Sequence, residues 1–317
     1  MNFLKKTWET FKSDKLLQKI MANSGYLLSS NVLSMGLSVI QSILAGRLLG
    51  VAGFGVIGTI TAFASTLNRL FSFRMNELVV KYFGEARANH QNGRASAVVM
   101  AAALGETGSA ILSFLILVLL APYASARLAD DPATAPLFIL YGSMVLLNFA
   151  TETATGVLQV TNKFRSYAVV NLISSIVNAA IIVWAFFTKR GMMEIVWAYL
   201  AGKAILGLGT AYLGLKEMNN DLGKGWWKAS FSEMPSLKEL FGFAFSTNIS
   251  STIIMLVRDN EALWIAYFLS PTAVGYAKTA LRSSIWCKFL SRPSFPLPIP
   301  RSIMRSLKKI GRCCAAC

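Results

Sequence analysis

Eight ionisable side chains (Arg47, Arg69, Glu106, Glu152, Lys203, Arg258, Asp259 and Glu261) stand in stretches that are otherwise almost wholly apolar. Their types suit binding rather than covalent chemistry. Guanidinium and ammonium groups hold anions such as phosphate. Carboxylates in apolar surroundings hold a cation, a proton or a basic partner. No Ser/His/Asp set, metal-ligand cluster or phosphate-cradling glycine motif accompanies them, so neither a metal, a cofactor nor an enzyme activity is expected. The single histidine, His90, lies among Lys, Arg and Gln, where solvation accounts for it.

What must position these groups follows from composition. The chain has 317 residues, of which 54% are hydrophobic and 15% charged. A soluble domain carries about a quarter charged residues, so the chain belongs to another class. Residues 169–188 (VVNLISSIVNAAIIVWAFFT) hold no charge and reach the roughly 20 residues that a membrane-crossing helix needs. Hydropathy predicts spans over 25–49, 51–73, 97–120, 136–158, 169–188, 192–215 and 241–268, with an eighth beginning near 272. The fold class is an all-α polytopic membrane protein.

The net charge of +16 does not point to nucleic acid. With the N-terminus placed in the cytoplasm, the bases gather on one side. Five lie in the N-terminal segment, four in 74–97, two at Lys163 and Arg165, and four in 216–240. The other side has only Arg127, Lys189 and Arg190. This is the positive-inside pattern of a multi-pass protein of the cytoplasmic membrane. Leu4, Trp8 and Phe11 recur at helical spacing, so residues 1–24 read as an amphipathic segment on the inner surface.

Helical rise then gives depth. At 1.5 Å per residue, Glu106 and Lys203 enter from opposite faces and both come to lie near the midplane. They either pair with each other or line a polar cavity. Arg69 lies near the inner end of the second span and Arg47 at the outer mouth. Glu152 lies in the inner half of the fourth span. In MLVRDNEALWIAYFL (255–269), seventeen residues from Phe241 place the charges about 26 Å along the helix, toward the outer side. Arg258 and Glu261 share a face, which leaves Asp259 as the uncompensated acid. Asn31, Gln41, Asn148 and Asn171 are expected to bond neighbouring helices.

From Ile285 the composition changes. All four cysteines and four of the nine prolines lie in 285–317, a stretch without Asp or Glu. Proline cannot continue a helix, so the eighth span breaks off and the tail reads as aberrant, out-of-frame or truncated sequence.

Three segments resemble the polysaccharide exporters of the multidrug/oligosaccharidyl-lipid/polysaccharide superfamily. They are LAGRLLGVAGFGVIGTI (44–60), TGVLQVTNKFRSYAVVNLISSIVNAA (155–180) and IAYFLSPTAVGYAKTA (265–280). The resemblance implies a two-lobe transporter. It implies a six-helix first lobe over 25–215, a cytoplasmic linker over 216–240 and the start of a second lobe over 241–284. It further implies export of an undecaprenyl-pyrophosphate oligosaccharide across the bacterial inner membrane, with membrane lipids and a coupling cation, proton or sodium, as further partners. Arg47, Arg69, Lys203 and Arg258 are then the candidates for substrate binding. Glu106, Glu152, Asp259 and Glu261 are the candidates for the coupling ion. A drug/cation antiporter of the same superfamily and a non-functional truncated product are the alternatives.

Overall fold

The apolar runs fold as membrane-crossing helices because each satisfies its own backbone hydrogen bonds, the only solution open to a single segment in lipid. The computed structural model describes residues 15–228, 236, 239–240, 242–243, 246 and 260–279. Arg258, Asp259, residues 1–14 and the 285–317 tail lie outside the described residues, as does most of the expected 216–240 linker after residue 228. Among the described residues all regular structure is helical, and five helices are long and apolar enough to cross a membrane. The chain is an all-α polytopic membrane protein.

Helix α1 (Lys15–Phe71) bends at Gly50, whose φ of 69° suits a residue without a side chain. Its two arms make two crossings. On the first arm Ser30 and Gln41 reach Ala168 and Ser175. Just past the bend, Phe54 and Ile57 pack with Ile182 and Ile195. The expected spans 25–49 and 51–73 thus meet in a tight hairpin at Gly50.

The second arm does not end in a loop. After a break at 72–74 it resumes as α2 (Met75–Leu78), a π-helical turn (Val79–Phe83) and α3 (Gly84–Ala88). Only residues 89–91 separate it from α4 (Asn92–Leu128). The expectation of an open loop over 74–97 is therefore corrected. Arg74, Lys81 and Arg87 lower the hydropathy of the segment, yet Met75, Leu78, Val79, Tyr82, Phe83 and Ala86 form a buried face against Val98, Val99 and Met218. Apolar side chains at helical spacing bury one stripe whatever the opposite stripe carries.

The fourth crossing is also discontinuous. In place of one span over 136–158 there are α5 (Ala135–Gly142), α6 (Met144–Leu147) and α7 (Thr151–Val160). Helices α8 (Phe164–Phe187) and α9 (Met192–Leu222) follow, and α9 passes the expected end at 215. Its extension is tied down by charge: Asp221 accepts two bonds of 2.6 Å from Arg87, and Glu217 lies 3.4 Å from Lys163. Bases that set the positive-inside count thus also brace the bundle end.

Beyond the linker, α10 (Glu261–Phe268) begins only after Asn260, a buried non-helical residue whose Oδ1 accepts from Thr66 Oγ1 at 2.6 Å. Thr66 is six residues before Ser72 and sixteen after Gly50, so Asn260 sits nearer the 72–74 break than the bend. Residues 271–279 return as a helix against the second arm of α1. There Lys278 Nζ donates to the Gly58 carbonyl at 2.8 Å.

Candidate functional site: a polar cavity between two broken helices

A helix that stops inside a bundle leaves amide donors and carbonyl acceptors that must find partners. The break at 148–150 exposes the first amides of α7, and Ala150, at its N-cap, has no side-chain acceptor. Glu106 of α4 supplies one from across the bundle. Its Oε1 accepts from the Glu152 amide at 2.8 Å, and its Oε2 from the Thr153 amide at 2.9 Å and the Thr153 hydroxyl at 2.7 Å. A carboxylate here also meets the positive end of the α7 dipole.

The break at 72–74 is closed in the same way. Arg74, in the left-handed region at φ 51°, sits at the N-cap of α2, and its side chain makes no capping bond there. Glu152 takes the role: Oε2 accepts from the Met75 amide at 2.9 Å and Oε1 from the Ser72 hydroxyl at 2.6 Å. Two acids therefore hold two broken helices in series. Close backbone approach completes the arrangement. A Cβ on Gly207 of α9 would lie 2.3 Å from the Leu147 carbonyl oxygen and 2.6 Å from Asn148 Oδ1.

Glu106, Glu152 and Lys203 line one cavity of about 190 Å³, together with Asn68, Ser72 and Asn148. A second cavity of about 190 Å³ lies between the first arm of α1, α5, α8 and α9, and Lys203 lines both. Glu106 and Lys203, both expected near the midplane, line the first cavity together, and no ion pair joins them among the described residues. Glu106 is committed to amides and a hydroxyl. Lys203 is half-buried between the two cavities, with Arg69 near enough to act on it electrostatically. In sum, the first cavity has its acids compensated by backbone and a cation at its edge, an arrangement able to receive an anion.

The remaining candidates lie elsewhere. Arg47 is exposed on the first arm of α1 and Glu261 is exposed in the first turn of α10, and neither lines either cavity. Arg258 and Asp259 fall outside the described residues. Of the polar span residues, Gln41 donates to the Ser175 carbonyl at 3.1 Å, and Asn171 reaches Ser30, Asn31 and Ser34 at 3.4–3.5 Å, so the α1–α8 contact is bonded as expected. Asn148 instead sits at the helix break, accepting from Thr151 Oγ1 at 3.3 Å. His90 lines a third cavity of about 500 Å³ at the bundle end, beside the Arg87–Asp221 pair.

Ser72, Thr153, Tyr141 and Asn260 are site or bracing residues that the hydropathy reading did not single out. The signal for one of them was present: NFATETATG (148–156) is dense in capping residues for a stretch inside a span.

Comparison with known proteins gives three findings. A family model described as Polysaccharide biosynthesis protein matches residues 20–282. Inner membrane protein YghQ of Escherichia coli (strain K12) is similar, with 26% identity over 270 residues, covering 85% of this chain and 76% of the relative. No solved structure matches the chain.

Proposed function

The chain belongs to the polysaccharide biosynthesis protein family, and on that premise we propose that it flips a lipid-linked oligosaccharide or polysaccharide repeat unit across the bacterial cytoplasmic membrane. Family membership supports a membrane transport role in general rather than an enzymatic one. The finer reading rests on one observation. Lys203 stands between two polar cavities without an ion-pair partner among the described residues, and the carboxylates nearest it are already bonded to backbone amides. Discontinuous helices meeting at a polar site are how transporters build substrate sites within the bilayer.

In this reading Lys203, with Arg69 behind it, meets the pyrophosphate of an undecaprenyl-linked glycan. Arg47 and Arg258 are further contacts for the same headgroup. Glu106 and Glu152 carry the coupling cation or proton, since neutralising either weakens bonds that hold a helix break closed. Asp259 and Glu261 serve that role from the second lobe. The N-terminus faces the cytoplasm, 25–215 forms the first lobe, 216–240 links it to the second, and the surrounding membrane lipids complete the path. A drug/cation antiporter of the same superfamily is the alternative, and the Lys203 ammonium at this cavity favours an anionic lipid over a cationic drug.

The test is binding of undecaprenyl pyrophosphate to the purified chain in detergent. A lost charge-assisted bond is worth about 1.5–3 kcal/mol, so Lys203→Met is expected to weaken binding about tenfold or more. Equal affinity in the two proteins would remove Lys203 from the substrate site. Proteoliposomes carrying the same lipid with a fluorescent sugar then report whether it crosses.

A further inference from the structure

Helix α9 carries a stripe of exposed apolar side chains, Trp197, Leu208, Tyr212 and Leu215, and the stripe stops at the exposed Lys216. From Trp197 to Leu215 is about 27 Å at helical rise, close to the roughly 30 Å of a hydrocarbon core. Lys216 therefore stands where the bilayer turns polar. The helix runs on to Leu222 and by itself would carry the chain away from the membrane. Two glycines prevent that. Gly223 and Gly225, at φ 85° and 99°, take backbone that a side chain would strain, and the chain reverses into a short 3-10 turn, Trp226–Lys228. Trp226 packs against the cluster that holds Met218, Val98 and Val99. The reversed segment thus lies at the height of Met218, three residues past the end of the lipid-facing stripe.

The reversal presents Trp227 at this polar edge. One part of its ring meets Trp226 edge-on, with centroids 6.2 Å apart, and the side chain is 52% exposed. Lys224 and Lys228, both exposed, flank it in the chain. The acids of the same part of α9, Glu217 and Asp221, already face Lys163 and Arg87, so the lysines leave this edge positive. An indole prefers the interfacial layer, where its ring is apolar and its N–H is wet. An ammonium close to the same layer is drawn to an anionic headgroup. A zwitterionic lipid would satisfy the ring but offers the lysines no net charge. A soluble acidic partner would satisfy the lysines but leave Trp227 at the edge of the hydrocarbon.

We propose that the Gly223–Lys228 segment is a binding surface for an anionic phospholipid of the adjoining leaflet, with Trp227 at the glycerol level and Lys224 and Lys228 on the headgroup phosphate. In the orientation given above this is the inner leaflet. The proposal goes beyond the flippase reading and does not depend on what the protein carries. It means that the segment leading to the second lobe leaves from the headgroup plane rather than from a free helix end.

The test places the full chain in phosphatidylcholine vesicles that hold a small fraction of brominated phosphatidylglycerol or brominated phosphatidylcholine, with the bromines near the head of the acyl chain. Quenching of tryptophan fluorescence reports which lipid sits against the protein. The parent protein is expected to favour phosphatidylglycerol about five- to thirtyfold, the attraction of one to two lysines at a membrane surface, and to lose most of that preference in about 1 M salt. Lys224→Gln combined with Lys228→Gln is expected to abolish the preference while quenching by phosphatidylcholine persists. Trp227→Phe removes the reporter and should take the phosphatidylglycerol-specific quenching with it. Equal quenching of the parent by the two lipids would overturn the proposal. So would a preference that survives the double lysine substitution, or one lost with Trp184→Phe, beside Arg190, instead of with Trp227→Phe. Glycerol phosphate in solution is expected to leave the quenching unchanged, and its displacing the lipid would show a soluble-phosphate site instead. None of these outcomes bears on the flippase reading, which undecaprenyl pyrophosphate binding tests separately.

Discussion

The Glu106 carboxylate accepts the backbone amide of Glu152 at 2.8 Å, and Glu152 passes the same service on to the amide of Met75 at 2.9 Å. Each acid does for a distant helix what an N-cap residue does for its own. A local cap would fix only the start of a helix. A cap supplied from another helix fixes that start relative to the rest of the bundle, so α4, α7 and α2 hold their positions together. This makes the breaks at 72–74 and 148–150 parts of one structure rather than two separate defects.

Removing Glu106 should therefore cost more than an exposed cap. A lost cap costs about 0.5–2 kcal/mol, and the amides left behind are buried, so Glu106→Ala is expected to destabilise by about 2 kcal/mol. Glu106→Gln keeps one carbonyl acceptor and should lose roughly half of that. Thermal unfolding in detergent reads both. An alanine variant as stable as the parent would show that the carboxylate does not hold α7.

Glycine placement gives an independent check on the same geometry. A Cβ at position 207 would meet the Leu147 carbonyl oxygen at 2.3 Å, and one at position 55 would meet the Pro271 carbonyl oxygen at 1.8 Å. Backbone cannot yield as a side chain does, so Gly207→Ala and Gly55→Ala are expected to destabilise by about 1–3 kcal/mol. Gly36 and Gly108 have nothing within 4 Å of a built Cβ. Alanine there should be neutral or stabilise by a few tenths to about 1 kcal/mol, as for a glycine in a helix interior. If all four variants unfold together, the close approach at the breaks is wrong.

Much of this was legible from apolar run length. The Gly50 hairpin, the long crossings and the meeting of Glu106 with Lys203 all follow from about 20 apolar residues per crossing and a fixed rise. The breaks were not legible, because hydropathy averages over a window and cannot tell a continuous helix from two capped pieces. Residues 75–88 escaped for a related reason: Lys81 and Arg87 lower the mean, although the buried side chains beside them recur every three to four residues. The Asn260–Thr66 bond escaped because height along a crossing was counted as unbroken helix, and Asn260 is not helical.

Orientation is open to direct measurement. The turn at 89–91 joins the second crossing to α4, and residues 188–191 join α8 to α9 at the other end of the bundle. All four cysteines lie at or beyond Cys287, and replacing them with serine leaves the chain free of thiols. In that background Asn89→Cys is expected to react with a membrane-impermeant maleimide only after the cells are opened, and Thr188→Cys in intact spheroplasts. The reverse pattern would invert the topology that the Lys and Arg bias implies.

Arg87 and Asp221 tie the end of the second crossing to the end of α9 by two bonds of 2.6 Å, with side chains 41% and 19% exposed. An exposed pair is worth about 0.2–1 kcal/mol, and the fork geometry argues for the upper part of that range. A double-mutant cycle with Arg87→Ala and Asp221→Ala is expected to give a coupling energy of about 1 kcal/mol, falling as salt is raised. The second pair is Lys163 with Glu217, one turn along α9, a single contact at 3.4 Å with Lys163 48% exposed. Its cycle should give less than half as much, because one long flexible side chain loses more freedom for one weak contact. Equal coupling in the two cycles would mean that charge alone, and not the paired geometry at Arg87, braces this end of the bundle.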